Sequence, residues 1–130
     1  MTDSFVLKII TPERLFYEGR ATFVEFTTVT GPVGIYKNHE PMTLLIAPGV
    51  LHIHEGEKEK KAALHTGFAE VTADEIRILA GIAEWPEEID KNRAEQARIL
   101  AERRIRENGS NQLDEIALRK AIARIEALKS

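Results

Sequence analysis

The stretch Ala83-Glu84-Trp85-Pro86-Glu87-Glu88-Ile89-Asp90 divides the chain into two unlike parts. All five prolines, seven of the eight glycines and every aromatic residue lie at or before Pro86. The 44 residues beyond it hold one glycine, Gly109, and neither proline nor aromatic. Gly and Pro punctuate strands and turns, and aromatic and β-branched side chains suit strands. Ala, Glu, Arg, Leu and Lys fill helices. The order therefore predicts a small β unit over residues 1–86 carrying a helical tail over residues 87–130.

Working back from the break, short strands alternate with turn signals. Phe5-Val-Leu-Lys-Ile-Ile10 reads as a strand, broken by Thr11-Pro12-Glu13. Ala21 to Thr28, rich in Thr, Phe and Val, reads as another. Thr30 to Pro41 reads as a loop and Thr43-Leu-Leu-Ile-Ala47 as a short buried strand. Pro48-Gly49 suits the centre of a type II turn, where glycine supplies the positive φ. Gly49–His54, Lys61–His65, Ala69–Val71 and Glu75–Ala80 complete the set, with turns at Glu55-Gly56-Glu57 and Ala73-Asp74. Strands at this spacing point to a sandwich or barrel. No helix of crossover length separates them, so a parallel sheet is not expected.

Working forward, Glu87-Glu88 place negative charge at the start of a helix, where its dipole favours it. Ala94, Ala97, Leu100, Ala101 and Ile105 recur at helical spacing, and Asn108-Gly109 is a stop. Ser110 or Asn111 caps a second helix with Asp114-Glu115 in its first turn. Ala117, Ala121, Arg124 and Leu128 form one stripe; Leu118, Ile122 and Ile125 form another. Two helices of about 20 and about 17 residues result, the first about 30 Å long. Alanine lets helices approach closely but removes little apolar area from water. Two readings of this hairpin stay open: a plain packed pair, or an arm that opens.

Composition narrows the function. Without cysteine there is neither a disulfide scaffold nor thiol catalysis. Met1-Thr2-Asp3-Ser4 lacks a basic region and a long apolar run, so neither a signal peptide nor a membrane span is expected. The net charge is −3, divided as −4 before Glu87 and +1 after Pro86. That balance argues against nucleic-acid binding. His52 and His54 share a strand face, but no third metal ligand accompanies them. Gly31-Pro-Val-Gly34 lacks the Gly-Lys-Ser/Thr of a phosphate loop, and no catalytic constellation is visible.

Several stretches nevertheless carry a pattern. They are Ile10-Thr-Pro-Glu13 with Tyr17-Glu-Gly19, Gly34-Ile-Tyr-Lys-Asn-His-Glu-Pro41, Ala47-Pro-Gly49, Gly67-Phe68 and Ile89-Asp-Lys-Asn-Arg-Ala94. Each is weak alone; in this order and spacing, over residues 5–128, the chain resembles the ε subunit of bacterial F-type ATP synthase. The resemblance implies a flattened antiparallel β-sandwich followed by an α-helical hairpin. It implies a non-catalytic rotor subunit of a proton- or sodium-driven synthase. Such a subunit couples γ to the c-ring and restrains ATP hydrolysis. It would lie at the cytoplasmic face of the cell membrane, touching the membrane only through the c-ring. No cofactor is required, and ATP enters as a regulatory ligand.

The same resemblance assigns residues. Thr30, Gly31, Val33, Tyr36 and His39 fall in the region that meets γ and the c-ring. The plainer reading of His39 is a ring that satisfies a backbone group. Ile89-Asp90-x-x-Arg93-Ala94 resembles the ATP-binding motif, with Glu84 near it. On one helix face, Asp90 would accept from the adenine amino group, Ile89 and Ala94 would pack the base, and Arg93 would meet phosphate. The plainer reading is an exposed ion pair between Asp90 and Arg93. ATP-binding members add an arginine in the middle of the first helix, where this chain has Leu100, and two on the second, where it has Lys120 and Arg124. Lysine keeps the charge but loses the guanidinium fork. Arg98 and Arg103 are candidate substitutes. Arg103, Arg104, Arg106, Arg119 and Lys120 would meet acidic surfaces of the catalytic α and β subunits when the hairpin extends. Their plainer reading is a face of salt bridges to Glu102, Glu107 and Glu115. A free-standing ATP-sensing module is the alternative function; a small enzyme is the third.

Overall fold

The computed structural model of the protein describes residues 3–129. The strands are β1 (Phe5–Ile10), β2 (Leu15–Ala21), β3 (Phe23–Thr28), β4 (Gly31–Ile35) and β5 (Met42–Ile46). They continue as β6 (Gly49–Glu55), β7 (Lys58–Leu64), β8 (Gly67–Val71), β9 (Glu75–Ala80) and β10 (Ala83–Glu84). A single 3-10 turn, Pro86–Glu88, precedes α1 (Lys91–Asn108) and α2 (Gln112–Ala127).

The strands run in the order β10-β7-β6-β3-β5-β8-β9-β1-β2, with β4 on β3. Strand β3 is where the sheet folds over. Its first half pairs with β6, Val24 facing Ile53, and its last residue, Thr28, pairs with Ile46 of β5. The two halves thus become the layers of a sandwich. Alternate residues of β1, β6 and β9 point inward, so Phe5, Leu7, Ile9, Leu51, Ile53, Ile76 and Ile78 form the core. Among the described residues all pairings are antiparallel but one: β1 runs parallel to β9, Leu7 beside Ile76. No crossover helix joins those strands; the intervening sandwich is itself the connection, which strand spacing does not reveal.

Several elements differ from expectation. Residues 15–21 form β2, which Gly19 and the charged Glu18 and Arg20 conceal in the sequence. The strand expected over 21–28 begins at Phe23, because Ala21 ends β2. The loop expected over Thr30–Pro41 contains β4, held to β3 with Val24 facing Ile35. Gly49 has no positive φ and opens β6 rather than turning the chain. Glycine is required there by proximity, since a Cβ would stand 2.4 Å from Thr27 Oγ1. The strand expected to be buried over 43–47 is half-exposed, and Leu45 of β5 points outward, 60% exposed.

Helix α1 starts four residues later than the acidic Glu87-Glu88 suggest. Pro86 begins the tighter turn, Ile89 is extended, and Asp90 is the N-cap, its side chain accepting from Arg93 N–H. The expected stop is present: Gly109, at φ 84°, ends α1, and Asn111 caps α2 by accepting from Asp114 N–H. Helix α2 lies against β6 and β7, and α1 packs on α2. This explains three consecutive buried residues in β7, Ala62-Ala63-Leu64, where one-sided burial would alternate. The buried helix residues are Ala94, Ala101, Ala121, Ala123 and Ala127. The expected stripes are corrected accordingly: Ala117 and Ile122 are exposed, and Ala123 and Ala127 take the inner face. A buried methyl contributes about 0.8 kcal/mol, against about 1.5–3 for a Leu, Ile or Val side chain.

Candidate functional site

The linker between sandwich and helices is fixed at several points. Trp85 stacks on Phe16 with ring centroids 4.2 Å apart, and Tyr17 meets its edge at 6.3 Å. Arg14 grips Glu88 with both terminal nitrogens, at 2.7 and 2.8 Å, and donates to Ala83 O at 3.3 Å. Glu88 Oε1 also accepts Trp85 N–H at 2.9 Å. The guanidinium, helped by that backbone donor, draws the Glu88 carboxyl down to about 2. Beyond this clamp only Ile89 and Asp90 separate the linker from α1.

A cleft of about 330 Å³ opens at that point. It is lined by Glu84, Glu88, Ile89, Asp90, Arg93, Ala94, Ala97 and Arg124, and so brings together β10, the linker, the first turns of α1 and the middle of α2. Glu84 Oε1 accepts Arg124 Nε at 2.7 Å and Oε2 accepts Nη2 at 3.4 Å. The three acids are already engaged: Glu84 by Arg124, Glu88 by Arg14 and Asp90 Oδ1 by Arg93 N–H at 3.1 Å. The Arg93 guanidinium has no ion-pair partner among the described residues. An apolar floor of Ile89, Ala94 and Ala97 beside that cation suits a flat ring with an anionic tail.

Six residues expected at the ligand site, Glu84, Ile89, Asp90, Arg93, Ala94 and Arg124, line this one cleft. Lys120, one turn from Arg124, does not line it. Glu88 and Ala97 do, and were not foreseen. Ala97 falls on the same face as Arg93 and Ala94, so its periodicity was legible; Glu88 arrives through Arg14, which no local pattern announces. The expected ion pair between Asp90 and Arg93 is absent, because Asp90 caps the helix instead. Leu100 is 38% exposed and lies with Gln96, Ala97, Ile99 and Arg103 in a second cleft that shares only Ala97 with the first. Neither proposed substitute reaches the site: Arg103 lines that other cleft, and Arg98 pairs with Glu95 at 3.0 Å and Glu102 at 2.9 Å.

The remaining basic residues are not laced into salt bridges as their plainer reading expects. Among the described residues, Arg103, Arg104, Arg106, Arg119 and Lys120 make no ion pair; Glu102 is taken by Arg98, and Glu115 accepts from Ser110 Oγ at 2.5 Å.

The turn from β3 to β4 carries Thr30 and Gly31, the latter at φ 125°. Thr28 Oγ1 ties it by donating to Gly31 O at 2.7 Å. Val33 is half-buried, and Tyr36, 65% exposed, stacks on Phe23 at 4.2 Å. Gly34 makes room for that ring: a Cβ would stand 2.6 Å from Phe23 Cζ. His39 Nδ1 lies 3.3 Å from Glu40 O, so its backbone-satisfying reading fits. Sequence reasoning missed an apolar patch beside the β3–β4 turn. Val29, 62% exposed, donates its N–H to Leu45 O, and Leu45 pairs with the exposed Phe68. The signal was an alternating strand with large apolar residues on both faces. His52 and His54 face outward, paired with Glu59 and Glu25, and no group of three or more metal-ligating side chains occurs among the described residues.

Residues 4–86 match the family model described as ATP synthase, Delta/Epsilon chain, beta-sandwich domain. The ATP synthase epsilon chain of Caldanaerobacter subterraneus subsp. tengcongensis is 43% identical over 129 residues, covering 96% of this chain and 94% of that one. That of Clostridium novyi is 42% identical over 130 residues, covering 97% and 98%. A chain in the structure of Euglena gracilis mitochondrial ATP synthase, OSCP/F1/c-ring in rotational state 1, superimposes with a TM-score of 0.82 at 22% identity, over 98% of this chain and 82% of its own. A second, in the Tetrahymena thermophila mitochondrial ATP synthase central stalk and c-ring, gives 0.57 at 15% identity, over 82% and 96%. These two show the fold. The sandwich with its hairpin is that of an ATP synthase subunit. The chain belongs to the ATP synthase delta/epsilon family, as an ε chain.

Proposed function

We propose that this ε chain is a non-catalytic part of the rotor, joining γ to the c-ring, and that its hairpin restrains ATP hydrolysis and senses ATP. The observation that carries the reading is the cleft at Glu84, Asp90, Arg93 and Arg124. It spans sandwich, linker and both helices, so a ligand there binds the docked hairpin and lacks its site once the hairpin leaves. What opposes departure is small: buried alanines, the ion pair of Glu84 with Arg124, and a bond from Lys61 Nζ to Lys129 O. Freed, the hairpin would offer unpaired Arg103, Arg104 and Arg119 to acidic faces of the α and β subunits.

The γ and c-ring contacts are assigned to the sandwich. Of the residues assigned to them, Thr30, Gly31, Val33, Tyr36 and His39, Thr30 follows the apolar Val29, which with Leu45 and Phe68 forms an exposed patch of the kind that marks protein interfaces. No helix among the described residues is long and apolar enough to cross a membrane. Attachment through the c-ring would place the chain at the cytoplasmic face of the cell membrane, with ion flow carried by other subunits.

Calorimetric titration of the chain with ATP tests the nucleotide reading. Saturable binding with Kd of about 1 mM or tighter is expected. Arg93→Ala should weaken it about tenfold, the loss of one charge-assisted phosphate contact. Equal affinity of the two proteins would remove ATP from this cleft.

A further inference from the structure

His65, which follows β7, lies directly behind Glu84. Its backbone N–H donates to Ile82 O at 3.1 Å, and its ring is 1% exposed. Nε2 is 3.5 Å from Glu84 Oε1, the atom that accepts Arg124 Nε at 2.7 Å. Nδ1 is buried without a hydrogen-bond partner. The charged groups acting on the ring are Glu84 from β10, and Arg124 and Lys120 from α2.

We infer that His65 is a positioning residue which makes docking of the hairpin depend on pH: neutral, it lets Glu84 hold Arg124; protonated, it releases α2. The inference rests on the reading of the hairpin as movable. In the neutral ring, the tautomer carrying its proton on Nε2 donates to Glu84 and leaves Nδ1 bare. A second proton must go to Nδ1, where no acceptor waits, and one carboxylate then faces three cations. Releasing α2 removes Arg124 and Lys120 and admits water to the ring. The proton therefore binds the released form more tightly. Burial and the neighbouring Arg124 hold the imidazole below its ordinary 6.5, against the opposing pull of Glu84. Since the docked form binds fewer protons, docking is at full strength above about pH 6.5 and weakens as pH falls through that value towards the lower pKa of the docked form.

The chain has no cysteine, so spin labels can be placed at Asp74→Cys on the sandwich and Asn108→Cys at the hairpin tip, both exposed. Distance distributions should show the docked form at about pH 8, and an open-to-docked ratio rising about threefold or more by about pH 5.5. In His65→Gln, which keeps a neutral polar group, the ratio should stay flat. A flat profile in the parent chain, or an unchanged slope in the variant, overturns the inference. If the variant does not fold, the imidazole titration of His65 in the parent chain decides. Its midpoint must lie below 6.5 and track the opening; a midpoint at or above that value overturns the role. The same labels in a complex with γ and the catalytic subunits separate the two readings. A hairpin that leaves independently of pH sinks the role of His65 alone, and one that never leaves sinks the movable hairpin beneath it.

Discussion

Gly67 and Gly49 look alike in the sequence and differ sharply in what they tolerate. A Cβ at Gly67 would stand 2.1 Å from Leu79 O and 2.7 Å from Ala80 Cα, both backbone atoms of the adjoining β9. At Gly49 the obstacle is the Thr27 side chain, which can rotate. Gly67→Ala must therefore separate β8 from β9, and a loss of about 2–4 kcal/mol is expected in denaturant unfolding, the range of severe core changes. Gly49→Ala should cost clearly less, about 1 kcal/mol. Equal losses would mean that backbone proximity is not what selects glycine at 67. The Gly67-Phe68 motif was legible in the sequence, but its physical reason was not. It is a strand lying close to a partner twelve or more residues away.

Among elements, the linker is the one whose behaviour is set by a partner far along the chain. Arg14, between β1 and β2, reaches Glu88 across the sandwich edge and removes it from the start of α1. The Glu88 carboxyl is held at about 2, against an ordinary 4.5. Its depressed pKa means that the clamp contributes its full stability above about pH 4.5 and loses it as pH falls from there towards about 2. An NMR titration of Glu88 should find its midpoint well below the ordinary 4.5, and Arg14→Ala should return it to that range. A Glu88 that titrates normally beside an intact Arg14 would show the clamp to be open in solution. With the clamp closed, only Ile89 and Asp90, both extended, connect the turn to α1.

For the whole molecule, the division of labour lies between a sandwich with a continuous apolar core and a hairpin whose buried residues, among those described, are all alanine. Removing residues 88–130 should leave the sandwich able to join γ and the c-ring. It should raise ATP hydrolysis by the assembled complex about fivefold or more, the lower end of an ordinary allosteric coupling. Hydrolysis unchanged by the deletion would remove the brake from the hairpin. The break at Pro86, most strands and both helices were determined by the sequence itself, because turn chemistry, helical period and capping act between residues a few positions apart. So was the cluster Ile89, Asp90, Arg93 and Ala94, whose members are neighbours on one short segment. The parallel pairing of β1 with β9, the strand β4 hidden among glycine and proline, the clamp of Arg14 on Glu88, and His65 behind Glu84 were decided only in the tertiary structure. Apart from β4, which folds back on its neighbour β3, each joins residues nineteen or more positions apart, a separation that carries no local period.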